Sequence, residues 1–174
     1  MDFVIPKIPP GETILIPSGW NSEKMPSAMD IANADVLLAC CSVQMAETTD
    51  LCALLKGTMS NLSYIDEEVV KEIQPSIHGS VEMFFFRTGS VRNEQLAEKY
   101  TRLRLRPDPY SLIVMNCLHL GRTIFSQATS WQGEDGKWRH VSFAQQFDER
   151  VTNITIDRSN GGFANGWWFH GIRA

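Results

Sequence analysis

The hydrophobic pattern divides the chain near Thr123. From there to Ala174 short apolar runs alternate with turn residues, the arrangement that predicts an antiparallel sheet. Ile124 to Trp131 is the first run, Gln132-Gly133-Glu134-Asp135-Gly136-Lys137 is a hairpin turn with an Asp-Gly pair, and Trp138 to Phe147 returns. Val151 to Asp157 predicts a third strand, Ser159-Asn160-Gly161-Gly162 interrupts it, and Trp167 to Ile172 predicts a terminal strand.

The first half reads differently. Met1 to Trp20 carries Pro6, Pro9, Pro10 and Pro17, which discourage helix, so this stretch is expected to be an extended arm. Its isoleucines Ile5, Ile8, Ile14 and Ile16 call for a surface to dock on, in this domain or in a neighbouring subunit. From Pro26 to Ile73 small and apolar residues predict a helical layer; the length of the Val36 to Val43 run favours a buried helix, although periodicity alone does not separate it from a core strand. Within that layer Asp50 offers an N-cap and Gly57 a stop for one short helix, and Asp66 and Pro75 do the same for another.

Val81 to Arg87 predicts a strand whose faces are both apolar: Phe84 and Phe86 on one, Met83 and Phe85 on the other. Such a strand is central, or it faces a partner. Asn93 is positioned to cap a helix running to Leu103 and ending by Pro107, and Asp108-Pro109 starts a second helix over Tyr110 to Leu118. The fold expected is therefore α+β, with an arm over 1–20 and one domain over 21–174 that is helix-rich over 26–118 and β-rich over 123–174.

Composition adds limits. A chain of 174 residues with 43% hydrophobic and 21% charged residues is about one domain long. It has no apolar run long enough to cross a bilayer, and its start does not read as a secretory signal, so a cytoplasmic origin is expected. A net charge of -4 argues against a nucleic-acid binder, although Arg102, Arg104, Arg106 and Arg122 are candidates for a local positive patch.

Candidate chemistry is sparse. Cys40, Cys41, Cys52, Cys117 and His119 are the residue types that hold zinc, yet neither Cys40-Cys41 nor Cys117-Leu118-His119 has the spacing of a zinc knuckle, and buried reduced thiols fit better. Cys117 with His119 lacks an orienting third group for nucleophilic catalysis, and Ser126, Ser130 or Ser142 with His140 lacks a nucleophile elbow. No cofactor is called for. The aromatic residues remain: Trp131 and Trp138 flank the hairpin turn, and Trp167 and Trp168 point to opposite sides of one strand. Core packing, a subunit interface and a stacked sugar are three uses for such side chains. His170, alone among these aromatics, reads as a hydrogen-bonded structural residue.

The segments Leu96-Ala-Glu-Lys-Tyr through Arg106-Pro-Asp-Pro-Tyr-Ser-Leu-Ile-Val-Met-Asn116, Thr129-Ser-Trp-Gln-Gly-Glu-Asp-Gly-Lys-Trp138 and Gly166-Trp-Trp-Phe-His-Gly-Ile-Arg173 resemble a group of small proteins encoded by tailed bacteriophages and prophages. The resemblance implies a phage context and carries no activity and no catalytic residue. Together with the residue pattern it leads to the expectation of a non-enzymatic virion protein that contacts itself or other phage structural proteins. The expected contact residues are Ile5, Ile8, Ile14, Ile16, Phe84, Phe86, Trp131, Trp138, Trp167 and Trp168. A host-takeover or anti-defence binding protein is the first alternative, and a small enzyme using a metal or thiol at Cys40, Cys52, Cys117 and His119 is the second.

Overall fold

The computed structural model describes residues 37–45, 50–57, 63–75, 79–118, 126–145 and 152–173. The arm over 1–20, Cys40 and Cys41 as side chains, His119 and Arg122 lie outside what it describes. In chain order the elements are β1 (Leu37–Met45), α1 (Leu51–Lys56), β2 (Tyr64–Ile65), α2 (Glu67–Glu72), β3 (Gly79–Arg87), β4 (Val91–Arg92), α3 (Asn93–Leu103), β5 (Leu105–Arg106), α4 (Pro109–Leu118), β6 (Gln127–Gln132), β7 (Trp138–Gln145), β8 (Thr152–Asp157), β9 (Gly162–Phe163) and β10 (Trp168–Arg173). The α+β class stands.

Helix starts follow the caps. Asp50 Oδ1 accepts from the amides of Cys52 and Ala53 at 3.0 and 3.1 Å, and Asp66 Oδ1 accepts from those of Glu68 and Val69 at 3.0 and 3.3 Å. Each satisfies donors that a first helical turn leaves open. Asp108 Oδ2 likewise takes the Ser111 amide at 3.2 Å at the start of α4. Asn93, expected as a cap, is the first residue of α3 and Arg92 precedes it as the cap. That helix closes at Arg104, whose left-handed backbone (φ 54°) turns the chain into β5 before Pro107 is reached.

Among the described residues, the main sheet runs β1-β3-β10-β6-β7-β8-β2, with β5 added beside β10. The run Leu37–Met45 is a strand, the less favoured of the two readings its sequence allows, rather than a helix. It pairs antiparallel with β3 along its length, from Leu37 against Phe86 to Met45 against Gly79. An unbroken apolar run has no period to separate helix from strand, and the equally apolar β3 beside it supplies the partner.

The C-terminal sheet is also less regular than the sequence predicts. β6, β7 and β8 form the antiparallel meander expected, but β10 does not extend it at an edge. It lies between β3, to which it is antiparallel, and β6, to which it is parallel, so the sheet is mixed. No hairpin constrains β10, so the chain is free to insert it where two apolar faces need cover.

Those faces define two cores. On one, Met83, Phe85, Val141, Phe143, Ile154, Ile156, Trp168 and Ile172 pack with residues of α1, α2 and α4. On the other, Phe84, Phe86, Ala128 and Phe169 pack with Leu96 and Tyr100 of α3. The alternation Met83/Phe84/Phe85/Phe86 thus feeds both layers from one central strand. Trp167 and Trp168 divide in the same way, with Trp168 in the α4-face core and Trp167 against the α3-face core.

Candidate functional site

Three arrangements in the described residues bring together side chains capable of chemistry or recognition.

The first is enclosed. His170 is fully buried, with Nε2 3.2 Å from Ser111 Oγ, and Ser111 Oγ donates to the Asp108 carbonyl at 3.2 Å. With its proton committed there, Oγ accepts from Nε2–H, and His170 Nδ1 is left as a buried lone pair with no hydrogen-bond partner among the described residues. Burial holds the imidazole down to a pKa of about 4, against a smaller opposing pull from Asp108. Ser111 and Asp108 are buried as well, so the constellation reads as internal structure.

The second is an ion-pair network. Arg139 is 4% exposed, and its guanidinium donates to both carboxylate oxygens of Glu72, to Asp135 Oδ1 at 2.7 Å and to the Lys137 carbonyl at 2.8 Å. Arg158 reaches Asp66 at 3.1 Å and Glu72 at 3.5 Å. The hydrogen bond from Arg139 holds the Asp135 carboxyl down at about 2. Sequence alone marks Asp135 as a turn residue and gives no sign of Arg139 or Glu72, because their meeting depends on α2 crossing the hairpin. These acceptors take four of the five guanidinium N–H groups, which ties helix to hairpin.

The third is open. Register places Trp138, His140, Ser142 and Ala144 of β7 on the face opposite Arg139, Val141 and Phe143, level with Gln132, Ser130 and Ala128 of β6. On β8, Asn153, Thr155 and Asp157 share this face, with Asp157 level with His140 and Thr155 level with Ser142. Tyr64 of β2 is level with Thr155 and is 58% exposed. Trp138, His140, Asn153, Thr155 and Asp157 are half-buried. At the border with α3 this strip meets Phe163 and Trp167, both half-buried: the rings of His140 and Phe163 lie edge to face at 5.8 Å, and those of Phe163 and Trp167 at 5.7 Å.

Ser130, His140 and Asp157 form a row across three strands of this face. They do not form a nucleophile relay. Ser130 is buried, and its single proton serves Asn93 Oδ1 or the Arg139 carbonyl, each 3.0 Å away. Asn93 also donates to the Ser159 carbonyl at 3.1 Å, which fastens α3 to β6 and to the loop after β8. Burial lowers the pKa of His140, opposed by Asp157, so the imidazole is neutral at neutral pH.

The contact residues read from the sequence separate accordingly. Phe84, Phe86 and Trp168 are 4%, 1% and 8% exposed and fill the chain's own cores, because α3 and α4 cover the faces that the sequence left bare. Trp131 lies partly buried against the α4-face core, while Trp138 and Trp167 belong to the open strip. Ile5, Ile8, Ile14 and Ile16 are outside the described residues. Of the thiols, Cys52 of α1 and Cys117 of α4 are half-buried against one core. Among the described residues no three metal-ligating side chains converge. Arg102 and Arg104 are exposed, Arg106 pairs with Ile172, and Arg173 stands 4.2 Å over the Phe84 ring.

Comparison of the chain with known protein families, with curated proteins and with solved structures gives no match. Among the described residues no helix is long and apolar enough to cross a membrane.

Proposed function

We propose that this chain works by binding rather than by catalysis, as a component of a bacteriophage particle. The observation that carries the reading is the open sheet face, where Trp138, Trp167 and Tyr64 keep aromatic surface accessible around Asp157 and Thr155. Aromatic side chains bring large contact area at low entropic cost, and they are enriched where proteins meet partners. The other polar clusters support it too: Arg139 is committed to structural acceptors, and His170 is sealed beneath α4. The sequence resemblance supplies the phage setting, and the apolar prolines-and-isoleucines arm over 1–20 supplies a segment suited to contact with neighbouring subunits.

The experiment is mass spectrometry of purified particles with copy number. Recovery at a fixed stoichiometry is the expected result. Presence in infected cells but absence from purified particles would overturn the virion reading in favour of a host-directed binding protein.

A further inference from the structure

We propose that the open face of β7, β8 and β2 is a carbohydrate-binding platform for a neutral oligosaccharide. The proposal rests on the binding reading above and names the class of partner.

Three observations carry it. Aromatic rings border the strip on two sides: Trp138 and the Phe163–Trp167 pair towards one side, Tyr64 at the other. Sugar rings present flat C–H faces that pack on such surfaces, and the hydroxyl of Tyr64 and the indole N–H of tryptophan add donors at the margin. Between these rings β8 sets Asn153, Thr155 and Asp157 in one line, because alternate residues of a strand share a face. Thr155 and Asp157 of that line present a hydroxyl, which gives and accepts hydrogen bonds, and a carboxylate, which accepts them from a polyol. The third observation is charge. In a chain that is 21% charged, the described residues of the strip include one carboxylate, Asp157, and His140 is neutral because burial disfavours its cation.

Charge decides between occupants. A phosphate-rich polymer or an acidic glycan would meet Asp157, and among the described residues of the strip no lysine or arginine balances it. An ordinary protein surface, roughly a quarter charged, would bring charges with few counterparts. A neutral glycan has only hydroxyls to satisfy, and a carboxylate accepts from two vicinal hydroxyls at once. The lateral span from β7 to β2 is two strand spacings, roughly 10 Å, wide enough for more than one sugar ring. Half-burial also means that the side chains are held in place by their neighbours before a ligand arrives, which lowers the ordering cost of binding.

The test titrates the whole chain with a panel of neutral oligosaccharides built from glucose, mannose, galactose, rhamnose and N-acetylglucosamine. Polygalacturonate and a polyphosphate serve as acidic arms. Tryptophan fluorescence and heteronuclear NMR shifts are the readouts. Saturable binding of at least one neutral oligosaccharide is expected, with perturbed resonances confined to β7, β8 and β2. Trp138→Ala should weaken it at least tenfold and Asp157→Asn at least threefold, and Tm should confirm that both variants fold. Arg173→Ala, on a different part of the surface, should leave it unchanged. Absence of saturation by every neutral oligosaccharide at 10 mM, tighter binding of either acidic arm, or shifts mapping elsewhere would each overturn the platform. Particle mass spectrometry is independent of this outcome, so a virion component without glycan affinity would be recognised as such.

Discussion

Tyr100 Oη donates a 2.6 Å hydrogen bond to the main-chain carbonyl of His170, and Thr129 Oγ1 stands 3.2 Å from the same oxygen. The parallel pairing of β10 with β6 covers only Trp168 with Gln127 and Phe169 with Ala128. Beyond it the strands part, and the carbonyl that would otherwise face a gap in the ladder takes side-chain donors from α3 and β6 instead. Burial pushes the Tyr100 hydroxyl far up its titration range, so it remains a donor at every ordinary pH.

The approach of Tyr100 depends on Gly171, where a Cβ would lie 2.9 Å from Tyr100 Cε1 and 2.8 Å from the Arg106 carbonyl. Gly171→Ala should destabilise by roughly 1–3 kcal/mol through overpacking. Tyr100→Phe should cost roughly 0.5–1.5 kcal/mol, since it removes one donor to the carbonyl while Thr129 Oγ1 keeps the other. Urea denaturation measures both, and a double variant less destabilised than the sum of the two would show that they act on one contact.

Acid should weaken the fold earlier than carboxylate titration alone requires. The unfolded His170 takes up a proton near its ordinary value of about 6.5, whereas in the fold burial keeps it neutral down to about 4. Between those values the unfolded chain binds more protons, so stability is full above about pH 6.5 and falls as pH drops towards 4, by about 2 kcal/mol between pH 6.5 and 4.5 from this group. His140, whose pKa is also lowered by burial, adds in the same direction. The urea midpoint followed from pH 7.5 to 4.5 should show the decline, and His170→Gln should flatten it.

Removing Glu72 should be costlier than removing an exposed acid. Arg139 is buried, and Glu72→Gln leaves its guanidinium short of charge compensation, a loss of roughly 1–3 kcal/mol for a pair with one buried and one part-exposed member. Glu67→Gln, on an exposed pair with Lys56, should be near neutral. Gly133→Ala should resemble Glu72→Gln, because a Cβ there would occupy the space of the Arg139 guanidinium. Thermal melts of the three variants rank them directly.

Phenylalanines of β3 and tryptophans of the open strip should part company on truncation. Phe86→Ala empties a fully packed site and should cost about 3–5 kcal/mol. Trp138→Ala, at a half-buried site on the strip, should cost under about 1.5 kcal/mol. A comparison of their Tm values checks whether the open face is maintained for folding or for something outside the chain.

Much of the fold is legible in the amino-acid pattern, and the reasons are local. Asp50, Asp66 and Asp108 fix three helix starts through bonds to amides two or three residues away. The Asp135-Gly136 turn and the strands beside it are likewise short-range. What the pattern hides is long-range. The Leu37–Met45 run becomes a strand only because β3 lies beside it, and Asn93 looks like a cap until Ser130 and Ser159, far along the chain, claim its side chain. Of the candidate site, Trp138 and Trp167 can be picked out as aromatic residues near turns. Asp157, Thr155 and Tyr64 cannot, since only the lateral register of β7, β8 and β2 puts them on one surface.

The position of β10 has a consequence for how the chain is made. It is the last strand in chain order among the described residues, yet it joins β1 and β3 on one side to β6, β7, β8 and β2 on the other. On the ribosome the two half-sheets must therefore wait, each with a bare edge that invites mispairing, until this late segment emerges. Synthesis and assembly are separated in time, and a nascent chain stalled before Trp168 would present two unjoined fragments to the chaperones of its cell.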